Sequence, residues 1–357
     1  MRIAELQIHD VAFGGKGVAR DGGKAVFVPF TIDGERVSAR IVREKKQFAE
    51  AELLEVLESS PHRVTAPCPY FGRCGGCSYQ HISYDHQLEL KARQVEQAMR
   101  RIARLAEPPM RPIVPSPLPY AYRNRITVHV QDNVVGFFRR DVHELIDIAA
   151  CPISMPEVNE ALAQLRATRP RDGHYTLRAH SGPRVFAQTN DAVADAMADF
   201  IASILPGEKN ELLIDAFCGA GFFAKRFAPK FQRVIGIDWD RFAIQAAQKG
   251  AAPNETYIAG DVAHELAKAS RSGDVHTADA LILDPPATGL TDAMRRVILD
   301  HPPDILIYVS CNPPTLGRDL AELQSRFNVV SVTPFDMFPQ TAEIEVVVHL
   351  SCSDARK

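Results

Sequence analysis

Apolar and polar residues alternate over residues 1–58, at Ile3, Leu6 and Ile8 and again at Val37, Ala39 and Ile41. Glycine-rich turns interrupt them at Gly14-Gly15-Lys16-Gly17 and Asp21-Gly22-Gly23. This pattern predicts a small, strongly bent antiparallel barrel. Residues 59–80, rich in Pro, Cys and Gly, predict a loop with little regular structure. From Tyr84 to Leu105, the residues Leu88, Ala92, Val95, Ala98, Met99 and Ile102 recur at helical spacing and predict one amphipathic helix. A Pro-rich linker is expected over Glu107–Pro119, then short strands near Ile126–Val130 and Val134–Phe138 and a helix over 156–166. From about residue 210 short apolar runs alternate with helical stretches. The runs are Leu212–Ile214, Val234–Ile237, Tyr257–Ile258, Ala280–Leu283, Ile305–Val309 and Glu345–His349, with Phe335–Thr341 read as a loop. That alternation predicts an open, doubly wound α/β sheet. The expected fold is therefore multidomain α/β: a barrel at 1–58, a small central α+β domain at 59–180 and a Rossmann-like domain at 181–357.

Composition changes this picture little. With 46% hydrophobic and 24% charged residues in 357, the chain can bury a real core. No apolar run approaches the roughly 18–20 residues that span a bilayer. The first residues lack the apolar core of a signal peptide, so a cytoplasmic, membrane-free protein is expected, acting as a monomer. The net charge of −3 gives no global basic signature, but residues 1–150 carry 21 Lys and Arg against 18 Asp and Glu, and the remainder 20 against 26. Contact with a polyanion is therefore expected in the first half.

The candidate chemistry lies mostly at strand ends, where open α/β sheets bind ligands. Cys311 follows the run Ile305–Val309 and is stopped by Asn-Pro-Pro; Asp284-Pro-Pro286 follows Ala280–Leu283. A lone Cys is more often a buried structural residue, but here a thiol and a carboxylate reach one face of one sheet. Asp215-Ala-Phe217-Cys-Gly219-Ala-Gly221-Phe222 closes the first α/β strand. Asp238 ends the second strand, placed for ribose hydroxyls, and Asp261 ends the third, placed for an adenine amino group. Two glycines followed by Phe222-Phe223, instead of three spaced glycines, favour S-adenosyl-L-methionine over a dinucleotide; a Gly-rich structural turn is the bland alternative. Beside that cofactor, a thiolate adding to carbon 6 of uracil would activate carbon 5 for methylation, and a carboxylate, Glu345 or Glu343, would take the carbon-5 proton. Cys68, Cys74, Cys77 and the distant Cys151 supply four thiolates, suited to tetrahedral zinc or an iron–sulfur cluster. Their spacing is closer to cluster usage and is not that of radical enzymes.

Taken together, these segments resemble the TRAM-domain RNA 5-methyluridine methyltransferases, over nearly the whole chain. The resemblance is carried by Cys68-Pro-Tyr-Phe-Gly-Arg-Cys-Gly-Gly-Cys77 with Gln80-His81, Tyr84, Gln87 and Lys91, and by Tyr122-Arg-Asn-Arg125. Val185-Phe-Ala-Gln188-Thr-Asn190, Asp284-Pro-Pro286, Ser310-Cys-Asn-Pro313 and Asp336-Met-Phe-Pro-Gln-Thr341 complete it. It implies an OB-like RNA-binding barrel, Cys311 as nucleophile and Glu345 as proton acceptor. It implies cofactor contacts from Gln188, Phe217, Gly219, Gly221, Phe222, Asp238, Asp261 and Asp284. It further implies a [4Fe–4S] cluster on Cys68, Cys74, Cys77 and Cys151, and a structured RNA substrate, with ribosomal RNA placed ahead of transfer RNA. Four positions depart from the family pattern: Phe222 stands for a polar residue, Asp238 for Glu, Ala287 for Arg and Glu343 for His. A decayed RNA-binding protein and a base amino-methyltransferase are the competing readings; the latter needs no nucleophilic thiol.

Overall fold

In the computed structural model, which describes residues 2–140, 142–180, 188–207, 210–271 and 278–353, the alternating N-terminal segment forms six strands. They are β1 (Ile3–Gln7), β2 (Asp10–Val11), β3 (Lys16–Asp21), β4 (Lys24–Pro29), β5 (Arg36–Glu44) and β6 (Phe48–Glu58), in the order β1-β5-β6-β4-β3-β2. Every second side chain turns inward, so that Leu6, Ala19, Val26, Val28, Val37, Ala39 and Ile41 share one core. Local alternation predicted only antiparallel pairs, but β4 and β6 run parallel. A non-sequential parallel pair depends on long-range register, which local pattern does not encode.

The barrel belongs to the first of two compact units, made of Met1–Gln94, Ser116–Ser181 and Phe338–Glu343. The second holds Val95–Pro115, Gly182–Met337 and Ile344–Lys357. Besides the barrel, the first unit contains a four-stranded antiparallel sheet, β7 (Arg125–Gln131), β8 (Val134–Phe138), β9 (Leu145–Asp147) and β10 (Gly173–Arg178), in the order β10-β7-β8-β9. Its inner residues, among them Val128, Val130 and Val135, pack with Val158 and Leu162 of a helix, Pro156–Ala167.

The long amphipathic helix α1 spans Tyr84–Arg101, shorter than predicted. Arg104 takes a left-handed φ of +61° and the Leu105 N–H bonds to Met99 O at 3.1 Å, a C-terminal closure that ends the helix. Residues Val95, Ala98, Met99 and Ala103 join the core of the second unit. Nor is the Pro-rich stretch a free linker. The N–H groups of Arg111 and Val114 bond to Val332 O and Pro334 O, at 2.8 and 2.9 Å, along the outermost strand of the large sheet.

That sheet has seven strands, one more than expected. They are β11 (Asn210–Ala216), β12 (Phe231–Asp238), β13 (Glu255–Ala259), β14 (Ala280–Leu283), β15 (Ile305–Ser310), β16 (Phe327–Phe335) and β17 (Glu345–Cys352). The order is β13-β12-β11-β14-β15-β17-β16, all parallel except β17, which runs antiparallel to both neighbours. β16 was not among the expected strands; it carries Pro334 at the edge of the sheet, where Pro is tolerated. Counting Pro156–Ala167 as α2, the later helices are α3 (Asp191–Ile204), α4 (Phe222–Phe227), α5 (Arg241–Gln248), α6 (Val262–Arg271), α7 (Asp292–Asp300) and α8 (Pro313–Leu323). The strand order reverses between β11 and β14, which opens the crevice where such sheets bind ligands.

Candidate active site and cysteine cavity

β11 runs into the Phe217–Gly221 loop, where the chain turns into α4 within a few residues. Such a turn needs left-handed backbone: φ is +67° at Phe217, +55° at Gly219 and +83° at Gly221. Glycine takes these values freely, whereas a side chain does not. At Gly221 an added Cβ would also stand 2.7 Å from the Tyr257 hydroxyl. The loop is pinned from two sides: Phe217 N–H donates to Ile237 O and Gly219 N–H to Asp238 Oδ2, both at 2.8 Å. Asp215, fully buried, accepts the Ala224 N–H at 2.9 Å, satisfying the first turn of α4. Its other oxygen is buried with no hydrogen-bond partner among the described residues.

Gln188, Phe217, Gly219, Gly221, Phe222 and Asp284 all line one cavity of about 510 Å³ beside this loop. Residues 185–187 of the Gln188 segment lie outside the described residues. Asp238 and Asp261 are not among the lining residues. Asp238 has each carboxylate oxygen on a backbone N–H, of Gly219 and of Asp240. Asp261 is exposed at the end of β13, where it accepts the His264 N–H at 2.8 Å. The wall is acidic. Burial pushes the Asp215 carboxyl up to about 7, with repulsion from Asp284 and Asp238 adding to it. Asp284 is raised likewise, by burial first and then by Asp238. The rim cations face elsewhere, Lys225 donating to Lys249 O and Arg226 to Asp195 and Asp199. The Asp284 carboxylate and the aromatic rings of Phe217 and Phe222 suit a cationic adenosyl ligand.

Cys311 is half-buried where β15 gives way to α8, and Asn312 caps that helix by accepting the Thr315 N–H at 3.4 Å. The antiparallel register pairs Ser310 with Val346; Cys311 follows the one in the chain, and Glu345, only 6% exposed, precedes the other. On the other side β15 pairs with β14, which Asp284 follows. Asp284, Cys311 and Glu345 thus stand at the ends of three adjacent strands. Glu343 is exposed and lines a different cavity, in the first unit.

The sequence reading missed Asp319, which holds this end of the sheet together. Fully buried, it accepts from Tyr308 Oη at 2.7 Å, Leu290 N at 2.8 Å and Arg295 Nη1 at 3.0 Å. The signal was available, because Asp319 interrupts the apolar stripe Leu316, Leu320, Leu323 of α8. Thr315 and Arg318 on the same helix donate to Ala287 O and Thr288 O, fixing the loop after Asp-Pro-Pro.

A family model described as tRNA (Uracil-5-)-methyltransferase matches residues 159–353, more than half of the chain. The chain belongs to that family. It is a methyltransferase, and a TRAM domain model matches residues 2–54 of its barrel. An uncharacterized RNA methyltransferase of Bdellovibrio bacteriovorus is 30% identical, over 97% of this chain and 94% of that protein. One of Aquifex aeolicus is 29% identical over 98% and 99%. The crystal structure of the Pyrococcus abyssi tRNA (uracil-54, C5)-methyltransferase in complex with S-adenosyl-L-homocysteine has a TM-score of 0.72. At 23% identity it covers 97% of this chain and 100% of that one, which establishes a shared fold.

In the first unit Cys68, Cys74, Cys77 and Cys151, all half-buried, line a cavity of about 460 Å³ with Tyr70, Phe71 and Gln80. The Gly76 N–H points at Cys74 Sγ at 3.5 Å, and Cys151 N–H is held by Asn159 Oδ1 at 2.8 Å. Burial pushes the Cys77 thiol up to about 12. Among the described residues no three His, Cys, Asp or Glu side chains are grouped to hold a single metal ion. Gln87 and Lys91 serve the loop after Met337: Gln87 exchanges two 3.0 Å bonds with Gln340, and Lys91 Nζ donates to Phe338 O at 3.0 Å.

Proposed function

We propose that this methyltransferase uses S-adenosyl-L-methionine to methylate carbon 5 of an unpaired uridine in structured RNA, through a covalent bond between Cys311 and carbon 6. The observation that carries the reading is the β15–β17 register, whose last pair, Ser310 with Val346, is flanked in the chain by the half-buried thiol of Cys311 and the buried carboxylate of Glu345. The aromatic lining of Phe217, Phe222 and Phe223 with the carboxylate of Asp284 supports the cofactor assignment. Asp215, with its unpartnered oxygen, and Asp284 would face a cationic ligand, with Gln188, Phe217, Gly219, Gly221 and Phe222 as its wall. Asp238 and Asp261 would bind at the ends of β12 and β13, since a carboxylate oxygen holding one N–H retains capacity for a hydroxyl or amino donor.

The Cys311 thiolate adds to carbon 6, forming a C–S bond and moving the ring electrons into an enolate. When bound, S-adenosyl-L-methionine supplies the methyl group to carbon 5 and leaves as S-adenosyl-L-homocysteine. Glu345 takes the carbon-5 proton, the C–S bond breaks, and the thiolate and the carbon 5–carbon 6 double bond are restored. The uridine must leave its stack for any of this, which favours a loop target. A base amino-methyltransferase would need neither Cys311 nor Glu345. Functionally, residues 1–58 would act as the RNA-binding barrel, 59–180 as the central domain and 181–357 as the catalytic domain.

Cys68, Cys74, Cys77 and Cys151 would hold a [4Fe–4S] cluster of structural use. Four thiols spread around one cavity, with an N–H aimed at one sulfur, suit a cubane better than one zinc ion, whose four sulfurs at about 2.3 Å from the metal must converge tightly.

The deciding experiment separates the two catalytic residues by their order. Cys311→Ala should abolish both methylation of unmodified RNA and any RNA–protein adduct. Glu345→Gln should accumulate an adduct that survives denaturing electrophoresis and carries the transferred methyl group. If Glu343→Gln traps the adduct instead, the base is misassigned; full activity in Cys311→Ala removes the covalent mechanism and favours an amino-methylating enzyme, whereas a wild type that binds RNA without methylating it is the decayed protein. Offering ribosomal and transfer RNA separately identifies the substrate class.

A further inference from the structure

Asp319 of α8 is fully buried, and its bonds run both to the strand that leads into Cys311 and to the loop that follows Asp284. Oδ2 accepts the Tyr308 hydroxyl at 2.7 Å and the Leu290 N–H at 2.8 Å. Oδ1 accepts from Arg295 Nη1 at 3.0 Å and from Arg318 Nε and Nη2 at 2.9 and 2.8 Å. Tyr308 lies on β15, three residues before Cys311, and pairs with Leu283, the residue before Asp284. Leu290 closes the loop that opens with Asp284-Pro285-Pro286. One side chain thus ties the strand of the thiol to that loop.

The two guanidinium groups carry the tie further. Arg295 Nη1 donates to Leu290 O at 2.7 Å, and Arg318 Nη2 donates to Thr288 O and Leu290 O at 3.0 and 3.2 Å. Thr315 Oγ1 donates to Ala287 O at 2.9 Å. The approach is too close for a side chain on the loop. At Gly289, whose φ is +74°, an added Cβ would stand 2.5 Å from Asp319 Oδ2 and 2.6 Å from Arg318 Nη2. Pro285 and Pro286 have no N–H with which to anchor the loop, so α7 and α8 supply its hold. Asp284 is held differently: its N–H donates to Ala216 O at 3.3 Å, which fixes its main chain from β11. The lock therefore acts on residues 287–290 and on β15, and leaves the cofactor wall alone. A buried ion-pair network gives little stability that apolar side chains of equal volume would not give. What this one adds is a fixed separation between a loop and a strand end. Thiol addition needs that, because sulfur and carbon 6 must be held about 3–3.5 Å apart and aligned.

We propose that Asp319 is a positioning residue for the nucleophile. It holds residues 287–290 and the end of β15 in one arrangement, so that a base seated against the loop meets the Cys311 thiolate at carbon 6. Asp319 itself touches neither base nor cofactor. The inference rests on the uridine reading given above and deepens it.

The test uses the full-length protein, S-adenosyl-L-methionine and RNA transcripts carrying 5-fluorouridine in place of uridine. The thiolate adds to carbon 6 and the methyl group reaches carbon 5, but fluorine cannot leave as the proton does. The C–S bond therefore persists, and the adduct is counted on denaturing gels. All variants are assayed below the lowest melting temperature among them. Asp319→Asn should slow adduct formation by about 100-fold, the scale of a misplacement of about 1 Å. Tyr308→Phe cuts only the tie to β15 and should slow it by about tenfold, the upper range for one hydrogen bond. S-adenosyl-L-homocysteine affinity should be unchanged in both. Leu323→Ala opens a cavity on the same helix outside the lock; it should lower the melting temperature at least as much as Tyr308→Phe and keep the wild-type adduct rate. A folded Asp319→Asn with the wild-type adduct rate would overturn the proposal. So would a slowing in Leu323→Ala equal to that in Tyr308→Phe, or a parallel loss of cofactor affinity. Where Asp319→Asn does not fold, Tyr308→Phe decides alone. If the wild type forms the adduct and the variants match it, only the lock falls. A wild type that forms no adduct on any RNA removes the covalent reading and the lock together.

Discussion

Asp215 and Asp284 are held above the ordinary carboxyl range by burial first and by neighbouring carboxylates second, which makes the β11–α4 loop sensitive to pH. The folded-state value of Asp215, about 7, lies above the ordinary carboxyl value of 3.8. The native protein therefore keeps a proton that the unfolded chain releases, so this group's contribution to stability falls as pH rises from about 4 to about 7 and levels off above that. A bound cation would reverse the sign locally, by favouring the charged carboxylates. Binding of S-adenosyl-L-methionine should release protons between about pH 5 and 7 and tighten as pH rises through that window. S-adenosyl-L-homocysteine, which lacks the sulfonium charge, should show less of both effects. Calorimetric titration of each ligand in two buffers of different ionisation enthalpy measures the protons directly; equal, buffer-independent heats for the two would mean the carboxylates do not face the sulfonium. At this scale the sequence was partly readable. Cys311 and Asp284 stood out because each ends an apolar run, and Glu345 because it starts one. Tyr257, which packs under Gly221, looked like any strand residue, since its role depends on the pairing of β12 with β13.

The turn from β11 into α4 is the element on which the cavity depends. Gly221 is confined there twice, by a φ of +83° and by the Tyr257 hydroxyl 2.7 Å from where a Cβ would lie. Gly221→Ala should destabilise the protein by about 1–3 kcal/mol, the usual cost of a strained backbone position. It should also weaken cofactor binding, because the loop backbone forms the cavity wall. Tyr257→Phe added to Gly221→Ala removes the hydroxyl contact and leaves the backbone angle, so it should recover only part of the loss. Full recovery in thermal unfolding would assign the whole effect to the clash, and none would assign it to the angle. Elements were legible where their pattern was local, as in α1 and the parallel strands. They were missed where Pro gave a false sign. Glu107–Pro119 read as a linker although its backbone bonds to β16, and β16, which carries Pro334, was not among the expected strands. Proline excludes central strands, not edges, and an edge can be recognised only once the strand order is known.

At the scale of the molecule, one net charge of −3 conceals two different parts, and the proposed RNA contact is expected on local surfaces of the more basic first 150 residues. The barrel, though matched as a domain of its own, does not end at its last strand. Val11 and Ile32 share an apolar cluster with Tyr79, Ile82, Leu90 and Ala342, in the same compact unit as the four cysteines. Tyr79 stands only two residues beyond Cys77, so whatever holds the cysteine loop also holds the floor on which the barrel rests. Removing residues 1–58 would uncover that cluster, so a truncation would test packing and RNA binding at once. Removing the proposed cluster is the cleaner probe. Anaerobically purified protein should contain about four iron and four sulfide per chain, the content of one cubane. Extracting the iron, or Cys68→Ser, should lower the melting temperature and open residues 59–80 to protease. S-adenosyl-L-homocysteine affinity should stay close to normal, because the cavity of Gln188, Phe217 and Asp284 belongs wholly to the second unit. Stoichiometric zinc without sulfide would replace the cluster by a single ion, and a metal-free protein with an unchanged melting temperature would leave the four cysteines as packing residues. Loss of cofactor affinity together with the iron would show that the cluster supports the catalytic unit as well.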